Sequence, residues 1–197
     1  MSYVIIAIIS YLIGSIPSGL ILGKTVWGVD LREYGSKNIG ATNAWRTLGK
    51  TPGLIIFASD LCKGLIGVGI GMIFSDTALA MVLGGIMTIV GHSASIFLKF
   101  RGGKGVATGL GVIIMLMPSV SAIVFVVWLV IVLISKYVSL GSIVGAILVP
   151  ILAFAFDKPA EFVIFGILAA IFVTYRHKSN IDRLLTGTEN KIKAGHR

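Results

Sequence analysis

Lys99, Arg101 and Lys104 stand beside Gly102, Gly103 and Gly105 in the stretch KFRGGKGVAT, residues 99–108, with apolar sequence on both sides. This is a pattern for holding an anion. Glycines let a chain turn so that successive backbone N–H groups converge on one point. A helix starting near Val106 would add the positive end of its dipole, and Lys104 a full charge. Cations that flank a membrane span as anchors would explain Lys99 and Arg101, but not the three glycines. A nucleotide P-loop fits less well. Lys104 does follow Gly103, but Gly105 stands where Ser or Thr would hold magnesium, and Leu98 stands where the first glycine belongs. The loop therefore reads as a phosphate cradle that does not hydrolyse ATP.

Two further polar segments carry side chains of the same character. GVDLREYGSKNIGATNAWRTLGK, residues 28–50, offers Ser36, Asn38, Thr42 and Asn43 as donors, Gly35 and Gly40 as flexible points, and Lys37 and Arg46 as charges. Gly, Ser and Asn are also ordinary turn residues. The polar segment 23–52 is, however, longer than connections usually are. In YRHKSNIDRLLTGTENKIK, residues 175–193, His177, Asn180 and Arg183 or Leu184 recur at helical spacing, so one helix face can present polar groups. A basic helix lying on anionic lipid would equally use Lys178, Lys191 and Lys193. Within an apolar run, Asp60 and Lys63 sit three residues apart. Such charges pair or serve a pathway. The pair reads first as a structural ion pair facing the bundle and second as a direct ligand. His92 precedes the glycine loop, as a packing residue or as part of the site.

The elements that must position these residues are membrane helices. The chain has 197 residues, 56% of them hydrophobic and only 13% charged, and its mean hydropathy is +0.98. Soluble domains carry about a quarter charged residues. The single Cys62 excludes an intramolecular disulfide and a cysteine zinc site. The opening MSYVIIAIISYLIGSIPSGLIL lacks a basic n-region and a clear cleavage site, so it reads as a retained helix. Apolar runs fall near 3–22, 53–74, 79–98, 106–117, 119–135, 138–156 and 160–175. The stretch 106–135 reads either as one long helix or as two short ones broken at Pro118-Ser119. With seven spans, 15 of the 17 Lys and Arg fall on one side of the membrane, and Lys158 alone on the other. Six spans would move the C-terminal tail across. The positive-inside rule favours seven. The expectation is an all-α integral membrane protein with seven transmembrane helices, some of them short, forming one domain over 1–197. Its N-terminus lies outside, and its C-terminus and all three polar segments lie in the cytoplasm.

Taken together, GSKNIGATNAWR, GHSASIFLKFRGGKGVATGLG and YRHKSNIDRLLTGTE resemble the three cytoplasmic motifs of the PlsY family, the bacterial acyl-phosphate:glycerol-3-phosphate acyltransferases. The similarity runs in order from YLIGSIPSG to GTEN. The resemblance implies a bacterial inner-membrane enzyme whose active site faces the cytoplasm. It would pass the acyl group of a fatty acyl phosphate to the 1-hydroxyl of glycerol 3-phosphate, giving 1-acyl-glycerol 3-phosphate (lysophosphatidic acid) and phosphate. Neither metal nor cofactor is implied. The acyl-phosphate-forming acyltransferase is the implied functional partner. By motif position, Gly102, Gly103, Lys104 and Gly105, with His92, fall to the donor phosphate. Ser36, Thr42, Asn43, Arg46, His177 and Asn180 fall to glycerol 3-phosphate. Lys104, His177, Ser36 and Asn38 fall nearest the chemistry. Lys37 stands where the family often has glycine. The general base stays open between His92, His177 and a substrate phosphate oxygen. No Ser-His-Asp or Cys-His arrangement is visible, which favours the substrate.

His177 and Asp182 match the His-x4-Asp spacing of another glycerolipid acyltransferase superfamily. That superfamily's Pro-Glu-Gly motif is not found, so Asp182 reads as a surface residue. A carrier for a phosphorylated solute would also use basic loops and buried charges, but it needs a polar path through several spans, and only Asp60 and Lys63 offer one. A non-catalytic anionic-lipid binder explains the net charge of +9 but leaves the Gly, Asn and Ser patterns without a purpose. Nucleic acid has no support beyond that charge.

Overall fold

The computed structural model describes residues 1–192; Lys193 and Arg197, counted among the tail cations, lie outside them. Among the described residues every regular element is helical. The chain forms two compact units, residues 1–112 and 113–192.

In the first unit, α1 (Ser2–Ser15) and α2 (Ser18–Trp27) form one apolar stretch broken at Ile16-Pro17. Pro17 has no N–H to continue the ladder. α3 (Ala41–Leu48) is followed by α4 (Lys50–Ser75) and α5 (Ala78–Ser93), and α5 is capped by the Thr77 hydroxyl, which accepts from the Ala80 N–H at 3.2 Å. α6 (Val106–Leu116) starts in this unit. These helices meet through glycines. A Cβ on Gly14 would strike the Thr88 backbone, and one on Gly91 the Tyr11 carbonyl, so α1 and α5 pack at backbone distance. Gly64 and Gly111 bring α4 and α6 together in the same way. Lipid tails are as apolar as leucine, so close van der Waals packing of small residues has to drive such association.

The segment 23–52, rich in turn residues, nevertheless contains α3. Ala44 and Leu48 lie one turn apart and pack with Leu31 and Ile56, which accounts for the helix. The cluster is amphipathic over only two turns, too short for periodicity to stand out.

In the second unit, α7 (Pro118–Ser135), α8 (Val138–Ala155), α9 (Ala160–Arg176) and α10 (Lys178–Leu185) follow in order. The stretch 106–135 is two helices: Pro118 takes the first position of α7, where its missing N–H costs nothing. All seven apolar runs are helical, but they differ in reach. Among the described residues five stretches are long and apolar enough to cross a membrane, and a sixth qualifies if α9 and α10, bent by 61°, count as one span. α6, with 11 residues, measures about 16 Å against a hydrocarbon core of about 30 Å. Outward side chains such as Ile73, Ile134 and Phe154 are largely exposed, as lipid-facing residues are.

Candidate functional site

The glycine loop is built onto the end of α5. The Gly102 N–H donates to Ser93 O at 3.0 Å and the Gly103 N–H to His92 O at 3.1 Å. These two amides hold the loop to the helix instead of turning towards a ligand. The glycines have separate reasons. A Cβ on Gly102 would meet the His92 carbonyl, and one on Gly103 the His92 ring at Nε2. Gly105 adopts φ +78°, where side chains are strained. Lys104, half-buried, follows the first two glycines and precedes the first turn of α6. N–H groups in a helix's first turn have no intrahelical acceptor, so this end suits an anion.

Beneath the loop lies a buried polar network. Lys63 Nζ donates to Asp60 Oδ1 at 2.8 Å, to Ser18 Oγ at 2.8 Å and to the Ile16 carbonyl at 2.6 Å. Ser18 Oγ donates to Asp60 Oδ1 at 2.6 Å. His92 Nδ1 approaches the same oxygen at 3.5 Å. The Asp60–Lys63 pair expected from spacing is therefore present. The residues that complete it, Ser18 and the Ile16 carbonyl, come from the break in the first span. No local pattern signals such a contact.

In the segment 28–50, the Asn43 side chain is buried and organises the loop. Its amide nitrogen donates to Leu31 O at 3.0 Å, Tyr34 O at 3.1 Å and Asn38 O at 2.8 Å, and its oxygen accepts from the Ser36 N–H at 2.9 Å. Asn43, assigned to glycerol 3-phosphate by motif position, has the geometry of a residue that shapes the loop. Asn38 Oδ1 accepts from the Gly40 N–H at 2.8 Å and so tightens the turn into α3. Ser36 is exposed, and Thr42 and Arg46 are half-buried on α3. Lys37 adopts φ +56°, the conformation for which glycine is the usual choice. At the start of the segment, the Arg32 guanidinium, assisted by Lys24, holds the Asp30 carboxyl below the usual carboxylate range.

In the second unit, His177 sits at the bend between α9 and α10, buried, with Nδ1 at 2.7 Å from Val173 O. Asn180 follows on α10 and donates to Glu189 Oε1 at 2.7 Å. Glu189 was not singled out from the sequence. Its buried carboxylate also accepts from Ser139 Oγ at 2.8 Å and from Arg183 Nε at 2.7 Å. Burial raises its pKa, but these donors outweigh that and leave it below the ordinary value. Its only signal was an acidic residue in a basic tail. The tail then returns over the turn between α7 and α8: the Ile192 N–H donates to Lys136 O at 2.7 Å, and Lys191 Nζ lies 5.7 Å from the Tyr137 ring centre. Asp182 is exposed beside an open depression lined by Tyr175, Arg176, Lys178 and Ser179, as a surface residue should be.

Known proteins have similar chains. The family profile described as glycerol-3-phosphate acyltransferase matches residues 4–187. The glycerol-3-phosphate acyltransferase of Carboxydothermus hydrogenoformans is 45% identical over 189 residues, covering 96% of either chain. That of Fusobacterium nucleatum is 44% identical over 193 residues, covering 98% of this chain and 100% of its own. The crystal structure of PlsY, an integral membrane glycerol 3-phosphate acyltransferase, in its glycerol 3-phosphate form superposes with TM-score 0.93 at 40% identity, covering 98% of this chain and 96% of that one. Its lysophosphatidic acid form gives 0.90 at 38% identity, covering 97% and 95%. With the profile spanning nearly all of an all-helical membrane chain, this protein belongs to the glycerol-3-phosphate acyltransferase family.

Proposed function

We propose that the protein is an acyl-phosphate-dependent glycerol-3-phosphate acyltransferase of the bacterial inner membrane, acting as one domain on the cytoplasmic side. As a glycerol-3-phosphate acyltransferase it serves phospholipid synthesis. The finer reading rests above all on the loop 102–105. It joins a cation, a left-handed glycine and the start of α6 at the end of a membrane helix. Such a combination suits a phosphate that carries a long acyl tail. Seven spans, with α6 as a short one, would put 15 of the 17 Lys and Arg on one face, which supports the proposed orientation.

In this reading Gly102–Gly105, Lys104 and His92 form the donor-phosphate wall. Ser36, Asn38, Thr42 and Arg46 are assigned to the glycerol 3-phosphate wall, where Arg46 suits a bidentate grip on phosphate, and His177 and Asn180 are assigned to the same substrate by motif position. Asn43 supports this second wall by holding the backbone of Ser36 and Asn38. The 1-hydroxyl oxygen attacks the acyl carbon, and a new C–O bond forms as the C–O bond to phosphate breaks. The electron pair leaves with phosphate, whose charge Lys104 already compensates. A substrate phosphate oxygen takes the hydroxyl proton. Acyl phosphate is an activated donor, so positioning and charge stabilisation suffice.

The test is a donor panel on purified protein in lipid: palmitoyl phosphate, palmitoyl-CoA and palmitoyl-acyl carrier protein, each with glycerol 3-phosphate. Product from palmitoyl phosphate alone is expected. Equal turnover of the CoA ester would overturn the donor assignment. For the proton, His92→Ala and His177→Ala are each expected to keep measurable turnover. Normal binding of both substrates with turnover abolished would make that histidine the base.

A further inference from the structure

The network under the glycine loop has the geometry of a brace. All three N–H groups of Lys63 are taken, by Asp60 Oδ1, Ser18 Oγ and the Ile16 carbonyl. Every Lys63 N–H thus has a partner within the bundle, which supports the reading of the pair as structural. Asp60, Lys63, His92 and Ser18 are 3%, 6%, 6% and 8% exposed, so none is a surface charge. Buried ions are maintained only when paired and hydrogen-bonded, and removing one partner leaves the rest uncompensated. Three separate pieces of chain meet here: the break between α1 and α2, the middle of α4 and the end of α5.

His92 is where the brace meets the loop. Its Nδ1 side faces Asp60. Its Nε2 side fills the space that a Gly103 Cβ would need, and its own carbonyl receives the Gly103 N–H. One ring thus touches the carboxylate on one edge and the loop on the other. A ring rotated away from Asp60 would open a gap against Gly103 or collide with it.

We infer that Asp60, held by Lys63 and Ser18, is a positioning residue that fixes the His92 ring and, through it, the Gly102–Gly105 loop. The helix break at Ile16-Pro17 belongs to the same device, because it supplies the carbonyl and the hydroxyl that anchor Lys63. The kinetic part of this inference rests on the proposed assignment of the loop to the donor phosphate. The structural part does not.

The experiment combines hydrogen exchange with kinetics on the full chain in lipid nanodiscs. Exchange is measured without substrate for wild type, Asp60→Asn, His92→Asn and Ser18→Ala. His92→Asn keeps a nitrogen near the Nδ1 position and removes the edge facing Gly103. The expected result is exchange about tenfold faster at the Gly102 and Gly103 amides, with α1 and the rest of α4 unchanged. Wild-type exchange at these amides in folded Asp60→Asn would overturn the inference. Should Asp60→Asn not fold, Ser18→Ala decides by the same readout, since it leaves every charge paired.

Gly103→Ala then serves as the kinetic reference, because it disturbs the contact between the loop and the His92 ring directly and leaves Asp60, Lys63 and Ser18 unsubstituted. Asp60→Asn is expected to raise the same substrate's KM as Gly103→Ala, by about fivefold or more, with the other KM nearly constant. A purely structural role would lower the active fraction and leave both KM values in place, which overturns positioning. Faster exchange with the shared shift in the KM of glycerol 3-phosphate would uphold positioning and refute the donor assignment of the loop.

Discussion

Lys37 stands inside a polar motif at φ +56°, where a Cβ is strained. The left-handed region costs a side-chain-bearing residue about 1–2 kcal/mol, and part of that returns when glycine loosens the unfolded chain. Lys37→Gly is therefore expected to raise stability by up to about 1 kcal/mol while keeping activity, as read by thermal unfolding in detergent and by turnover. Asn43 teaches the complementary lesson. Its residue type pointed to a polar site. Its two amide N–H groups are shared among three carbonyls of the surrounding loop and its oxygen accepts from Ser36, which shows what the side chain does there. Residue type and motif position bring a side chain near a site, but which atoms it bonds depends on the fold of the loop.

At the scale of elements, the segment after α9 depends on Glu189. Its carboxylate joins α8 through Ser139 and α10 through Asn180 and Arg183. Hydrogen bonds from several donors hold its pKa below the ordinary glutamate value of 4.5 despite burial. A depressed carboxylate stabilises the fold above its unfolded pKa, and the contribution fades as pH falls through the folded pKa. Glu189→Gln is expected to cost about 2 kcal/mol at neutral pH. The gap from wild type should narrow below pH 4.5, as measured by unfolding across a pH series. A gap that stays constant with pH would mean that the charge is not what counts. The helices themselves were legible as apolar runs, including the break before α7 that Pro118 announces. α3 was not, because two turns of Ala44 and Leu48 against Ile56 are too brief to register as periodicity. The Asp60–Lys63 pair was legible because its partners lie one helical turn apart. Ser18 and His92 were not assigned to it, since only packing between helices brings them there.

For the whole molecule, charge asymmetry supports the proposed orientation. Lys158 lies in the turn between α8 and α9, and Lys178 at the start of α10. In a Cys62→Ser background, Lys158→Cys is expected to react with a membrane-impermeant maleimide in intact cells, and Lys178→Cys only after permeabilisation. The opposite pattern would reverse the orientation, and labelling of both in intact cells would remove a span between them. Composition alone already marked an integral membrane protein. The short reach of α6 was legible in the run 106–117, but the bend of α9 into α10 was not. Apolar length does not report such bends.

The most direct measurement of the central claim is product stoichiometry in lipid vesicles supplied with palmitoyl phosphate and glycerol 3-phosphate. Phosphate and 1-palmitoyl-glycerol 3-phosphate are quantified together, for wild type and Lys104→Ala. The account predicts that the two products appear mole for mole, only when glycerol 3-phosphate is present, and that Lys104→Ala lowers the rate about 100-fold or more while the protein stays folded. Phosphate without acylated product, or wild-type turnover in folded Lys104→Ala, would contradict it.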